Sequence, residues 1–381
     1  MITKTKILLF VSRCTVKLRC SKLAYHILRS FIRVPRLPVS SYGKVDVHNY
    51  LNSLSEDPDH SCIRIQPVVN AHQYDLQIIV PVYKVEDYIE ECMDSILSQQ
   101  TQYNFQVIVI NDGSPDQSRD ILRKYESNPQ VLIIDQENRG FSGARNTGLN
   151  FLNARYIMFV DSDDRLADHA IENLMSRADK LNADVVEGGF VRFYNNGIRF
   201  STSWEYDEQS PSFSGYACMK IIRGDFFQKI QFPLNYWFED TVMSMIIASM
   251  ADRIVRIPEC VYCYRMNYGG ITKLSKGKLK NLDTLWINRR LLADRVSLNL
   301  PNDEQFYEFE LEEIRNVHFI RIASIGSDAI NQMVFLEFSH YIRSYFPDFK
   351  LYHVKNELKQ IHQAFLDKDY KMYLLACLFH V

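Results

Sequence analysis

The sequence predicts an α/β fold with a mostly parallel sheet flanked by helices, followed by a helical C-terminal region. Three observations point that way. From Leu76 onward, short and wholly apolar runs alternate with amphipathic stretches roughly every 25–30 residues. Such alternation builds strand–helix–strand units whose strands are covered on both faces and so lack a polar period. Each apolar run ends in acids, amides or glycine, which gathers those groups at one rim of the sheet, where proteins of this class bind ligands. After about residue 285 the apolar runs give way to charged segments with helical spacing.

The elements follow in order. LQIIVPVY (76–83) is a buried strand, and the helix after it sets Ile89, Met93, Ile96 and Leu97 on one side. FQVIVINDGS (105–114) is the second strand, with a helix at 116–125. VLIID (131–135) is the third, and a helix starts within SGARNTGLNFL (142–152). YIMFVDSDD (156–164) is a fourth strand ending in acids, then come a helix at 168–181 and a strand at 184–193. The expected organisation is a basic segment and linker over 1–74, the α/β domain over 75–285 and helices over 286–381.

The formal net charge of −2 hides an uneven distribution. Residues 1–44 carry ten basic side chains and no acid; the remainder carries 34 basic against 46 acidic groups, a charge of −12. Residues 7–32 have the spacing of an amphipathic basic helix. It either lies on an anionic membrane surface or docks on the acidic body of its own chain. The C-terminal helices read as a bundle or lid, with a second membrane-facing surface as the alternative for the apolar last ten residues. Binding of nucleic acid through the head would call for stacking aromatics among the basic residues, and few are there: Tyr25 and Phe31, on the apolar side, with Phe10 and Tyr42. No apolar run approaches the ~20 residues that span a bilayer. Most of the eight cysteines sit in apolar surroundings, as reduced core thiols do. Cys260 and Cys263 form a lone CxxC in a strand-like segment, where a period of two would point them to opposite faces.

The chemistry concentrates at the strand ends. Asp161 and Asp163 form a hard oxygen site suited to magnesium or manganese, which would also take diphosphate oxygens; the alternative is a turn capping the next helix. Asp112, before Gly-Ser-Pro, is either a turn residue or a carboxylate turned to a base or ribose. ENRGFSGARNTG (137–148) lacks the spacing of either common phosphate loop. It does supply close backbone approach at Gly140, a helix N-terminus, and Arg139 and Arg145 as guanidinium forks for anionic groups. Glu239 and Asp240 are either an acidic pair at a helix start or a general base.

Together IIVPVYKVEDYIEECMDSIL, VIVINDGSPDQS, NRGFSGARNTGL and YIMFVDSDD resemble, in order and spacing, family two glycosyltransferases of the GT-A fold. FPLNYWFEDTVMSMIIA and VYCYRMNYGGIT resemble the acceptor-side segments of that family, and the likeness covers about residues 75–275. It implies a nucleotide-base pocket at Pro81, Val82, Tyr83 and Glu86, and a base or ribose contact at Asp112. It also implies that Asp161 and Asp163 touch ribose and metal, that Asp240 of the Glu239–Asp240 pair is the general base, and that Arg265 contacts the diphosphate. There are two departures: Lys84 stands where the family often has Asn, and residues 256–275 contain no His, which some members use as a further metal ligand.

The expectation is an inverting transferase that uses a nucleotide-diphosphate sugar (a UDP-sugar) and a divalent metal. Its acceptor is a glycan or lipid-linked hydroxyl of a bacterial surface polysaccharide, reached from the cytoplasmic face of the membrane. Two rivals share the nucleotide. A sugar nucleotidyltransferase would want an early glycine-rich loop with a lysine, which VPVYKVEDY lacks; a silent binding protein would have lost carboxylates that are present here.

Overall fold

The computed structural model describes residues 12, 21–31, 46–194, 197, 199–267, 275–348, 354–356 and 358–379. The chain divides into two compact units, His60–Gly270 and a second made of Met1–Asp59 with Ile271–Val381.

The His60–Gly270 unit carries one mixed sheet of nine strands. They are β1 (Tyr74–Val82), β2 (Phe105–Asp112), β3 (Val131–Gln136), β4 (Ala154–Phe159), β5 (Arg165–Leu166), β6 (Val185–Phe193), β7 (Arg199–Thr202), β8 (Lys220–Arg223) and β9 (Ile254–Arg265). Their order is β3-β2-β1-β4-β8-β6-β9-β5, with β7 on β6. The α/β class is as expected. β3, β2, β1 and β4 are parallel, and so are β6 and β9. The antiparallel β8 between β4 and β6 was not expected, since Lys-Ile-Ile-Arg is too short to give a periodic signal. Two antiparallel steps restore the direction, so β9 runs the same way as β4 and its end reaches the same rim.

The central strands show why their runs are wholly apolar. Leu76, Ile78, Ile79, Val80 and Val82 of β1 and Val107 through Ile110 of β2 are fully buried. Helices Ile89–Leu97, Ser118–Leu122, Gly140–Leu149 and Ala170–Leu181 connect these strands. One buried ion pair crosses β6 and β8. Lys220 Nζ, with no exposure, lies 3.1 Å from Glu187 Oε1 and donates to the carbonyl oxygens of Ser214, Tyr216 and Cys218. Burial alone would raise the Glu187 carboxyl, but Lys220, Ser214 and Arg256 bring it below its usual value.

β9 carries an irregularity that reverses one sequence reading. Gly189 pairs with Cys260, Phe190 with Tyr262 and Val191 with Cys263, so Val261 is an extra residue against β6. The bulge shifts the side-chain parity by one, and Cys260 and Cys263 fall on the same face rather than on opposite ones. The Gly-Gly of β6 makes room for it: a Cβ on Gly188 would meet Val261 Cγ1 at 2.5 Å.

In the other unit, the segment read as linker contains a helix, Val47–Leu54, capped by Asp46. Trp286 Nε1 donates to Ser55 O at 2.9 Å and Arg289 Nε to Asp57 Oδ2 at 2.9 Å. Those contacts tie 46–59 to the C-terminal helices, so the units part at residues 59 and 270 rather than at 74 and 285. Helix Tyr370–Phe379 is buried from Met372 to Phe379. It packs against Lys359–Asp367 and against Ser21–Phe31, so through residue 379 the segment is core rather than a membrane-facing surface. Of the basic helix expected over 7–32, only Ser12 and 21–31 are among the described residues. There Tyr25 is buried and donates to Gln360 Oε1 at 2.7 Å, while Leu23 and Ile27 are 64% and 48% exposed. No helix among the described residues is long and apolar enough to cross a membrane.

Candidate active site

The parallel strands deliver their polar ends to one rim. β1 ends at Val82 and leads into Tyr83, which is 43% exposed. Pro81 is half-buried and Glu86 exposed. Val82 is fully buried in the core, so in a base pocket its main chain alone would be available. Glu86 Oε2 accepts from Gln117 N at 2.8 Å, and Asp116 Oδ2 accepts from Glu86 N at 3.2 Å, which joins the β1 and β2 loops. Lys84 adopts φ 56°, a region L-residues reach at a cost and Asn tolerates better.

Asp112 ends β2. Its Oδ1 accepts from Gln136 Nε2 at 2.6 Å and from Arg139 N at 2.8 Å, which binds the β2 rim to the β3 loop. Arg139 is exposed at the start of helix Gly140–Leu149, and Gly140 makes the entry with φ 69°.

Arg145 departs from its expected part. It lies in the second turn of that helix, 7% exposed, and does not present a fork to solvent. Its guanidinium donates to Asp161 Oδ1 at 2.8 Å through one nitrogen and to Glu239 through another. One buried cation therefore joins the carboxylate after β4 to the Glu239–Asp240 pair. Burial pushes the Glu239 carboxyl up to about 8, with Asp240 adding to the rise and Arg145 opposing it. Asp240 is partly exposed, at the N-terminal end of a helical segment whose dipole favours an anion there.

β9 closes the site from the other side. Tyr262 donates its hydroxyl to Asp164 Oδ2 at 2.9 Å and accepts from Asp161 N at 3.1 Å. Arg265 N donates to Asp164 Oδ1 at 2.6 Å and Arg265 Nε to Asp163 O at 2.7 Å. The Arg265 guanidinium also pairs with Glu91 and lies over the rings of Tyr88 and Phe193 at 4.8 and 4.5 Å. Arg265 thus clamps the turn at residues 161–164, which the diphosphate role alone did not require.

Three residues had gone unmarked: Asn267, Tyr262 and Glu91. Asn267 Nδ2 donates to Asp163 Oδ2 at 2.6 Å. Its signal in the sequence was position, two residues beyond Arg265 on an alternating strand end.

Asp161 and Asp163 both remain partly exposed, each with one oxygen taken by Arg145 or Asn267. Burial and the charge of Asp161 push the Asp163 carboxyl up. Two hard carboxylates that repel one another at a rim fit a divalent cation that takes its remaining ligands from water and phosphate. No group of three or more Asp, Glu, His or Cys suited to a metal occurs among the described residues.

An α/β sheet with this strand order and an acidic turn after the fourth strand has the GT-A fold. Residues 77–254 match the model of glycosyl transferase family 2. Glycosyltransferase GlyA of Streptococcus pneumoniae is 30% identical over 220 residues, which is 52% of this chain and 32% of that protein. The minor teichoic acid biosynthesis protein GgaB of Bacillus subtilis is 28% identical over 341 residues, 79% of this chain and 37% of that one. The chain spans about a third of the length of these two relatives. Among solved structures, residues 1–349 of Staphylococcus aureus TarS, in complex with UDP-GlcNAc, share the fold with a TM-score of 0.60 and 20% identity, covering 79% of this chain and 89% of that one.

Two outcomes test the site's construction. Arg145→Met leaves two carboxylates without their shared cation and lowers unfolding free energy by about 3–5 kcal/mol in urea denaturation. Adding Glu239→Gln recovers a measurable part, and purely additive losses would refute the shared-cation arrangement. Lys84→Asn relieves a left-handed lysine and stabilises the protein by about 0.5–1 kcal/mol, read as a higher denaturation midpoint.

Proposed function

We propose that the chain transfers a sugar, with inversion, from a UDP-sugar to a hydroxyl of a glycan or lipid-linked acceptor in the synthesis of a bacterial surface polysaccharide. The observation that carries this reading is the Arg145 bridge. It couples the Asp161–Asp163 turn, suited to the donor, to Glu239–Asp240, suited to the acceptor, within a family 2 domain. The likeness to GgaB, a minor teichoic acid biosynthesis protein, supports a surface polymer as the product, and the UDP-GlcNAc complex of TarS supports a UDP-sugar as donor.

The residues divide the work. Pro81, the Val82 main chain, Tyr83, Glu86 and Asp112 receive the nucleoside. Arg139 and the amides at the start of helix Gly140–Leu149 face the diphosphate. Glu239 is buried and held by Arg145, so Asp240 is the member of the pair with access to an acceptor. Its carboxylate takes the proton of the acceptor hydroxyl as that oxygen attacks the anomeric carbon, and the bond from that carbon to the diphosphate oxygen breaks in line. Manganese or magnesium held by Asp163 with Asp161 would neutralise charge on the departing diphosphate.

The basic N-terminal segment places the enzyme at the inner face of an anionic membrane. Tyr25 anchors one side of its helix to the protein, and exposed Leu23 and Ile27 with neighbouring basic residues supply the other.

Asp240→Asn keeps the thermal shift produced by a UDP-sugar with manganese and loses transfer by on the order of 10²–10⁴-fold. Transfer at the wild-type rate would remove Asp240 as base, and loss of the thermal shift would mean that it serves donor binding instead. Co-sedimentation with phosphatidylglycerol vesicles is expected to fall in a variant with Leu23, Ile27 and Arg29 replaced by Ser. Undiminished co-sedimentation would refute the membrane role.

A further inference from the structure

The bulge in β9, for which Gly188 leaves room, has a further effect. It brings two thiols of a twelve-residue strand onto one face. Cys260 is exposed and Cys263 half-buried, whereas Cys62, Cys92, Cys218 and Cys377 are buried. The pair spans only two partner residues, from Gly189 to Val191. At a rise of about 3.3 Å per residue their Cα atoms are about 6.6 Å apart. That lies within the ~4.4–6.8 Å that a disulfide bridges. In an unbulged strand, residues three apart would be farther apart and on opposite faces.

The surroundings set the two thiols apart. Cys260 Sγ lies 3.6 Å from Tyr262 O. The hydrogen bond from Cys263 brings the Cys260 thiol down to about 6 against the burial that raises it, and the same bond with burial pushes Cys263 up. The exposed sulfur is therefore the better thiolate and the inner one holds the proton. Neither residue takes part in the glycosyl-transfer chemistry described above.

We infer that Cys260 and Cys263 form a dithiol site that reacts with small-molecule disulfides, Cys260 as the attacking sulfur and Cys263 as the resolving one. In the first step Cys260 thiolate attacks one sulfur of RSSR; a mixed disulfide forms and RS⁻ leaves. In the second, Cys263 gives up its proton and attacks Cys260 Sγ; the intramolecular disulfide forms and the second RS⁻ leaves. The two cysteines are oxidised and RSSR is reduced to two thiols, which carry the protons away. The bond closes on the strand that supplies Tyr262 and Arg265 to the turn at 161–164, with Cys263 paired to Arg165 across β5.

The test uses the full chain with Cys14 and Cys20 replaced by Ser, oxidised glutathione as the disulfide and iodoacetamide as the label. Trypsin releases residues 257–265, which hold both cysteines and no other. After oxidation this peptide is expected to lose two hydrogen atoms and take no label; after reduction it takes two. Cys263→Ser is expected to retain one glutathione on Cys260, and Cys260→Ser to gain little. A peptide that takes two labels under conditions that modify Cys260 in the Cys263→Ser protein would overturn the inference. So would two glutathiones on one peptide, or faster modification at Cys263.

Discussion

A single guanidinium organises the rim. Arg145 lies at the packed side of a helix whose neighbours are buried, and its two carboxylate partners come from distant parts of the chain. Desolvating a cation is costly, and the cost is met only when charge partners and geometry are both good. Asp161 and Glu239 meet it together, so the two halves of the site cannot relax independently. The β9 contacts act on the same turn from the opposite side, through Tyr262, Arg265 and Asn267. The turn at residues 161–164 is therefore fixed from two directions while two of its carboxylates keep access to solvent.

This construction sets buried acids close to partly exposed ones. Asp164 and Glu239 are buried and spend their oxygens on protein donors. Asp161, Asp163 and Asp240 stay partly exposed beside them. Asp163 and Asp240 each have a buried acid next to them in sequence, Asp164 and Glu239 respectively. Aromatic rings complete the arrangement: Tyr88 and Phe193 flank Arg265 and keep water from its faces.

The strand alternation and its rim were legible because each depends on local pattern. A strand buried on both faces must be apolar throughout, and its first polar residue marks where it leaves the sheet. Asp112, Asp161 and Asp163 were found that way. What escaped notice depends on tertiary context. Arg145 in a glycine-rich segment reads as an anion fork until the helix is known to turn it inward. Lys-Ile-Ile-Arg carries no period long enough to announce β8. The parity of Cys260 and Cys263 followed from a regular strand, and the bulge that reverses it is permitted by two glycines seventy residues earlier. A membrane alternative stayed open for the C-terminal apolar segment because its burial partners come from the other end of the sequence.

That last arrangement bears on the order of folding. The unit built from both ends of the chain encloses the His60–Gly270 unit in sequence. During synthesis the helix at 21–31 emerges well before helix Tyr370–Phe379, on which it packs. The α/β unit has all its strands once residue 265 is made and can complete its sheet first. The other unit must wait for its second half, and it closes only when the loop between its two halves is already a folded body. Folding that body first shortens the effective loop and lowers the entropy of closure.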